Sequence, residues 1–103
     1  MERSGRAAPL PGVMQGRWMI KDEPTGELLV EGGEVVFQGR AVDYDTKEIQ
    51  EGPEALTVNF AIDDPQREDT FTRENLIGLV LTADGKFLGW NLKFATQFVR
   101  PEE

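Results

Sequence analysis

The stretch LVLTADGKFLGW, residues 79–90, decides how the chain is read. Asp84-Gly85 is a strong hairpin signal, because both residues tolerate positive φ, and it stands between two runs rich in apolar residues, Leu79 to Ala83 and Lys86 to Trp90. A two-residue loop there pairs Leu81 with Leu88, Leu79 with Trp90 and Ile77 with Leu92, with all six on one face. Alternation then carries Phe94, Thr96, Phe98 and Arg100 onto the same face and Gly89, Asn91, Lys93 and Gln97 onto the other. The last strand is therefore long and must coil, with Gly89 or Ala95-Thr96 as the place where it bends.

The same period of two recurs upstream. In Ala55 to Asp63, Leu56, Val58, Phe60 and Ile62 face one way, while Ala55, Thr57, Asn59 and Ala61 face the other. Gly32-Gly33 supplies two residues free to adopt positive φ, so Val30 is expected opposite Val35 and Leu28 opposite Phe37. Glu23-Pro24-Thr25-Gly26 has the composition of a turn joining Arg17–Asp22 to Glu27–Glu31. With Ile20 across from Val30, one face then carries Trp18, Ile20, Leu28, Val30, Val35 and Phe37, and the other Met19, Lys21, Leu29, Glu31, Glu34 and Val36. Gly39 reads as a bulge that shifts core parity to Val42 and Tyr44. Thr46 to Glu54 reads as an excursion or short edge strand, Asp63-Asp64-Pro65 as an acidic turn, and Thr70-Phe71-Thr72 as a short strand. No stretch keeps a helical period over three turns. The expected fold is all-β: an antiparallel up-and-down meander of about seven to eight strands, forming a small closed or nearly closed barrel. Trp18, Phe60, Ile77, Leu79, Leu81, Leu88, Trp90, Leu92, Phe94 and Phe98 are expected to face inward.

Composition bounds the rest. The 103 residues, 39% apolar and 29% charged, suit one globular domain, read as residues 17–100 between a mobile N-terminal arm (1–16) and a short tail (101–103). Without cysteine there is neither a disulfide nor a thiolate metal site, which fits a reducing, cytoplasmic setting. The arm is broken by Pro9, Pro11 and Gly12 and lacks a signal-like apolar core, and no run approaches a membrane span. A net charge of −8 opposes a nucleic-acid partner.

Gly16-Arg17-Trp18 before the first strand, and Arg100 at the end of the last, resemble the lipocalin-like (calycin) meander barrels. In those families the first strand opens with Gly-x-Trp and the last carries an arginine packed over that tryptophan. The resemblance implies that the pair closes one barrel end through cation–π contact and hydrogen bonds from the guanidinium to backbone carbonyls. It also implies an interior for a small apolar ligand, with Trp18, Phe60, Trp90 and Arg100 as the ligand-binding residues.

Catalysis has little to draw on. The chain has no histidine and no cysteine, and its one serine, Ser4, lies in the arm, so nucleophilic and imidazole mechanisms are excluded; no cofactor is expected. A carboxylate pair or Tyr44 is the remaining acid–base inventory. Asp43, Asp45 and Glu48, and further on Asp63, Asp64, Glu68 and Asp69, lack the spacing of a calcium loop and read as solvated turns. Met19, Leu29, Val36, Phe87 and Val99 fall outside the expected core face. They suggest either a homo-oligomer or other protein partner, with inhibitor or immunity-type proteins as a special case, or a second packing layer.

Overall fold

A computed structural model describes the backbone of residues 2–91 and 93–101, and their side chains apart from residues 2, 3, 24, 25 and 72–74. Among the described residues ten strands follow one another as β1 (Glu2–Gly5), β2 (Gly16–Ile20), β3 (Glu23–Glu31), β4 (Glu34–Phe37), β5 (Arg40–Ala41), β6 (Thr46–Glu51), β7 (Ala55–Ala61), β8 (Gly78–Thr82), β9 (Phe87–Trp90) and β10 (Ala95–Val99). A 3-10 turn at Gly12–Met14 and a helix, α1 (Glu68–Glu74), complete the chain. The strands form one antiparallel sheet, ordered β1-β6-β7-β8-β9-β10-β2-β3-β4-β5, curled into a half-barrel.

Ten strands rather than seven to eight arise for three reasons, the first being that the expected long last strand reverses between Trp90 and Ala95 into two strands, β9 and β10, paired antiparallel from Ala95 opposite Trp90 to Phe98 opposite Phe87. Gln38 and Gly39 both have positive φ (53° and 81°) and make a tight reversal rather than a bulge, so β4 and β5 pair as Phe37 with Arg40 and Val36 with Ala41. That reversal brings Val42 back beside Val35, its N–H donating to the Val35 carbonyl, and Val42 and Tyr44 are buried as the parity argument requires. The N-terminal residues, expected to form an arm apart from the sheet, contribute β1, which pairs with β6 from Glu2 opposite Ile49 to Gly5 opposite Thr46. The segment expected as an excursion or edge strand is thus β6, inside the sheet between β1 and β7.

The Gly32-Gly33 hairpin has the expected register, Leu28 opposite Phe37 and Val30 opposite Val35. Only Gly32 takes a positive φ (60°), the arrangement of a type II′ turn. Two other turns differ from expectation. The β2–β3 reversal lies at Lys21-Asp22, where Asp22 has φ of 66°. Ile20 therefore pairs with Glu23 and not with Val30, and a register shift separates it from the Met19–Glu27 pair. Between β8 and β9 the loop is Ala83-Asp84-Gly85, with Gly85 at φ of 92°. A type I turn followed by a left-handed glycine adds one residue to the two-residue loop. Leu81 consequently meets Phe87, Val80 meets Leu88 and Leu79 meets Gly89.

That single step exchanges the faces of β9, because side-chain direction alternates strictly. Phe87, expected outside, is buried in the core, whereas Leu88 and Trp90, expected inside, lie on the outer face. Trp90 covers Gly78, its cross-strand neighbour, so closely that any side chain there would strike the indole. Trp18, Phe60, Leu79 and Phe98 are buried, and Ile77 and Leu81 pack against that core. Phe94 is 41% exposed, a correction to its inward placement. Leu92 lies outside the described residues. The Thr70-Phe71-Thr72 stretch belongs to α1 rather than to a strand, and Phe71 is buried from there.

Among the described residues no ladder joins β1 to β5, and the N-terminal segment bridges that seam. Leu10 N–H donates to the Gly32 carbonyl at 2.9 Å, and Arg6 N–H to the Asp45 carbonyl at 3.2 Å. Gln15 holds Gly32 from both sides, accepting its N–H and donating to its carbonyl, each at 2.8 Å. Gly33 is required by proximity, since a methyl group there would strike the carbonyls of Arg6 and Ala8. Leu10 and Met14 seal the join with buried apolar side chains.

Candidate functional site

Trp18 and Arg100 come together. The Arg100 guanidinium carbon stands 3.7 Å from the Trp18 ring centre, and Arg100 Nη1 donates to the Arg17 carbonyl at 3.3 Å. Trp18 Nε1 donates to the Met14 carbonyl at 3.0 Å, and its ring meets Phe87 at 4.4 Å between centres. The other two residues expected to bind ligand are elsewhere. Phe60 packs on Tyr44, with ring centres 4.7 Å apart, and Trp90 lies on the outer face. The four therefore do not surround one space. The interior between them is occupied by Leu28, Val30, Val35, Leu79, Phe87 and Phe98, all buried.

An open cleft of about 330 Å³ lies instead at the end of the curled sheet where β2 stops. Ile20 from β2, Glu23 from β3, Phe37 and Gln38 from β4 and its turn, and Phe94 and Thr96 beside β10 line it. Phe37 and Phe94 stack with centres 6.2 Å apart and planes 29° from parallel, and the edge of Phe98 supports Phe37 at 5.9 Å. Phe94 reaches this position because Asn91 Oδ1 accepts the N–H groups of Lys93 and Phe94 at 2.6 and 3.2 Å. Such an Asx-type turn breaks the strand and its alternation. The signal was an Asn two residues before Lys93 in a presumed continuous strand.

A second, polar cluster occupies the seam. Arg6 makes a paired contact with Glu34, at 2.9 and 2.7 Å, and a 2.6 Å contact with Asp43, which Arg67 also reaches at 2.8 Å. The hydrogen bond from Arg6 holds the Glu34 carboxyl below its usual range, and hydrogen bonds from Arg6 and then Arg67 do the same for Asp43. Beneath them Tyr44 donates to the Gly33 carbonyl, and Lys47, fully buried, donates to the Gly5 carbonyl at 2.7 Å and to Tyr44 Oη at 3.2 Å. Burial pushes the Tyr44 hydroxyl up to about 12 and the Lys47 ammonium down. These groups fasten the N-terminal segment, and each is engaged by a protein partner.

A shallow cleft of about 340 Å³ lies beside the seam, between Arg40, Arg67 and Phe71. The acidic set does not converge on one point: Asp43 is taken by the two arginines, and Asp45 Oδ2 accepts the Asp63 N–H at 2.9 Å. Among the described residues no group of three or more acidic or metal-ligating side chains is placed to hold a metal ion, and no helix is long and apolar enough to cross a membrane.

Comparison with protein-family models, with curated proteins and with solved structures finds no match for the chain.

Proposed function

We propose that this chain is a non-enzymatic binding module that holds a small apolar molecule in the cleft lined by Phe37 and Phe94. The observation that carries the reading is Phe94. A large aromatic ring, 41% exposed and stacked on a second ring, leaves apolar area in water that a ligand would cover. The cleft volume of about 330 Å³ falls at the small end of ligand sites, and a few polar groups, Gln38 and Thr96 among them, edge its apolar walls. This moves the ligand of the lipocalin-like reading from the barrel interior to its end. Trp18 and Arg100 then serve as the closure of the sheet.

Titration with the neutral dye Nile red tests the reading. Saturable one-to-one fluorescence enhancement is expected, weakened about tenfold or more in Phe94→Ala with the circular dichroism unchanged. Unsaturable enhancement, or equal binding by the variant, would reject it.

A second reading, self-association or a protein partner, draws on the outer face. There the cross-strand pairs Met19–Val99 and Leu29–Val36 set four apolar side chains over neighbouring strands, with Val99 37% exposed. Sedimentation of the chain across a concentration series separates the two: a dimer dispersed by Val99→Lys favours this second reading.

A further inference from the structure

We infer that the molecule held in the cleft lined by Phe37 and Phe94 is a small organic cation, an alkylated ammonium, with Glu23 as its counter-charge. The inference rests on the cleft being a ligand site and refines its occupant from a small apolar molecule to one whose apolar alkyl groups surround a positive charge. Glu23 is the one charged side chain among the described residues lining the cleft; neither lysine nor arginine shares it. No hydrogen bond or ion pair engages Glu23 among the described residues, in contrast to Glu27, which pairs with Arg17, and Glu34, which pairs with Arg6. It is held at the cleft by backbone geometry. The Lys21-Asp22 reversal sets it directly opposite Ile20, and both residues line the site.

The exposed parts of the stacked Phe37 and Phe94 rings, beside a lone carboxylate, form a complementary surface for a diffuse positive charge. The ring quadrupole attracts the cation, the methyl groups of an alkylated ammonium bury against the rings, and the carboxylate supplies the opposite charge. A strongly hydrated metal ion would find only the Glu23 carboxylate, the Gln38 amide and the Thr96 hydroxyl as oxygen-bearing side chains of the lining, fewer than the roughly six oxygens a hard cation takes. An anion would meet Glu23 and a chain of net charge −8, which instead raises the local concentration of cations. The volume of about 330 Å³ admits a small molecule, whereas a stable protein contact needs a far larger surface.

The test compares choline with its neutral isostere 3,3-dimethylbutan-1-ol, by NMR shift titration of the full chain at fixed ionic strength. Choline is expected to bind about tenfold more tightly, with shifts centred on Glu23, Phe37 and Phe94. Glu23→Gln should reduce the preference severalfold, leaving the share supplied by the rings and the net charge, and Glu23→Lys should reduce it further. Phe94→Ala should weaken both probes. Equal binding of the two probes, or a preference unchanged in Glu23→Gln, overturns the charge assignment while Nile red binding keeps the cleft a ligand site. If Nile red, choline and the alcohol all fail to bind, the site itself is rejected, and this inference with it.

Discussion

The Arg100 guanidinium carbon lies 3.7 Å above the ring centre of Trp18, joining the last strand of the sheet to the first strand after the N-terminal segment. Arg100 is exposed, so its contribution should be that of a surface cation–π contact. Arg100→Ala is expected to cost about 1 kcal/mol in urea unfolding, and far less in a Trp18→Leu background, where the ring is gone. Trp18→Ala removes a core ring as well and should cost about 4 kcal/mol. An equal Arg100→Ala cost in both backgrounds would show that the stacking contributes nothing.

Gly32 and Gly33 are neighbours with different duties, and alanine distinguishes them. Gly32→Ala forces a side chain into positive φ and should cost about 1 kcal/mol. Gly33→Ala drives a methyl group into the Arg6 and Ala8 carbonyls and should cost about 3 kcal/mol, together with faster amide exchange at Arg6 and Leu10. The ordering of the two midpoints is the readout.

Acid should loosen the seam before the core. Arg6 holds the folded Glu34 carboxyl below its ordinary value of 4.5. A depressed carboxyl pKa stabilises the fold above the unfolded value, and that stabilisation is lost as pH falls through the folded one. The wild-type chain should therefore be more stable than Arg6→Ala at pH 7, and the gap should close as pH falls well below 4.5. A gap that persists in acid would show that Arg6 acts through packing alone.

Lys47 predicts the opposite limb. Burial lowers its folded pKa below the ordinary 10.5, so the unfolded chain binds the proton more readily and stability rises with pH through that interval. As pH rises toward 10.5 the wild-type chain should gain stability relative to Lys47→Met, a substitution of similar length that stays neutral. Tyr44, pushed up to about 12, remains protonated across this window and leaves the comparison clean. Parallel curves for the two proteins would contradict the burial effect.

The antiparallel meander was legible in the sequence because period-two alternation and the Gly32-Gly33 turn agree on one register, and Leu28–Phe37 and Val30–Val35 form as read. Asp84-Gly85 was read correctly as a reversal and incorrectly as to length. The dipeptide suits a two-residue loop and also the three-residue loop with left-handed Gly85, and packing decides between them by burying Phe87 instead of Leu88. The cleft was not legible. Its key ring, Phe94, was assigned inward by extending alternation past Asn91, whose side chain ends the strand locally. Glu23 gained its place through a turn three residues earlier than the Glu23-Pro24-Thr25-Gly26 signal suggested. The arrangement of Arg6, Glu34 and Asp43 depends on contacts across 28 and 37 residues, which no local pattern encodes.

The β10–β2 ladder, which sets Phe98 against Ile20, has a kinetic consequence. Most neighbouring strands in the sheet are also neighbours along the chain, so two hairpin assemblies, β2 to β5 and β6 to β10, can each zip locally. Uniting them pairs strands ~80 residues apart in sequence, and the ordering this requires is repaid only when Trp18, Phe87 and Phe98 dock. The rate-limiting event in refolding is then the meeting of the two halves, with the exposed strand edges of each half open to intermolecular pairing until it occurs.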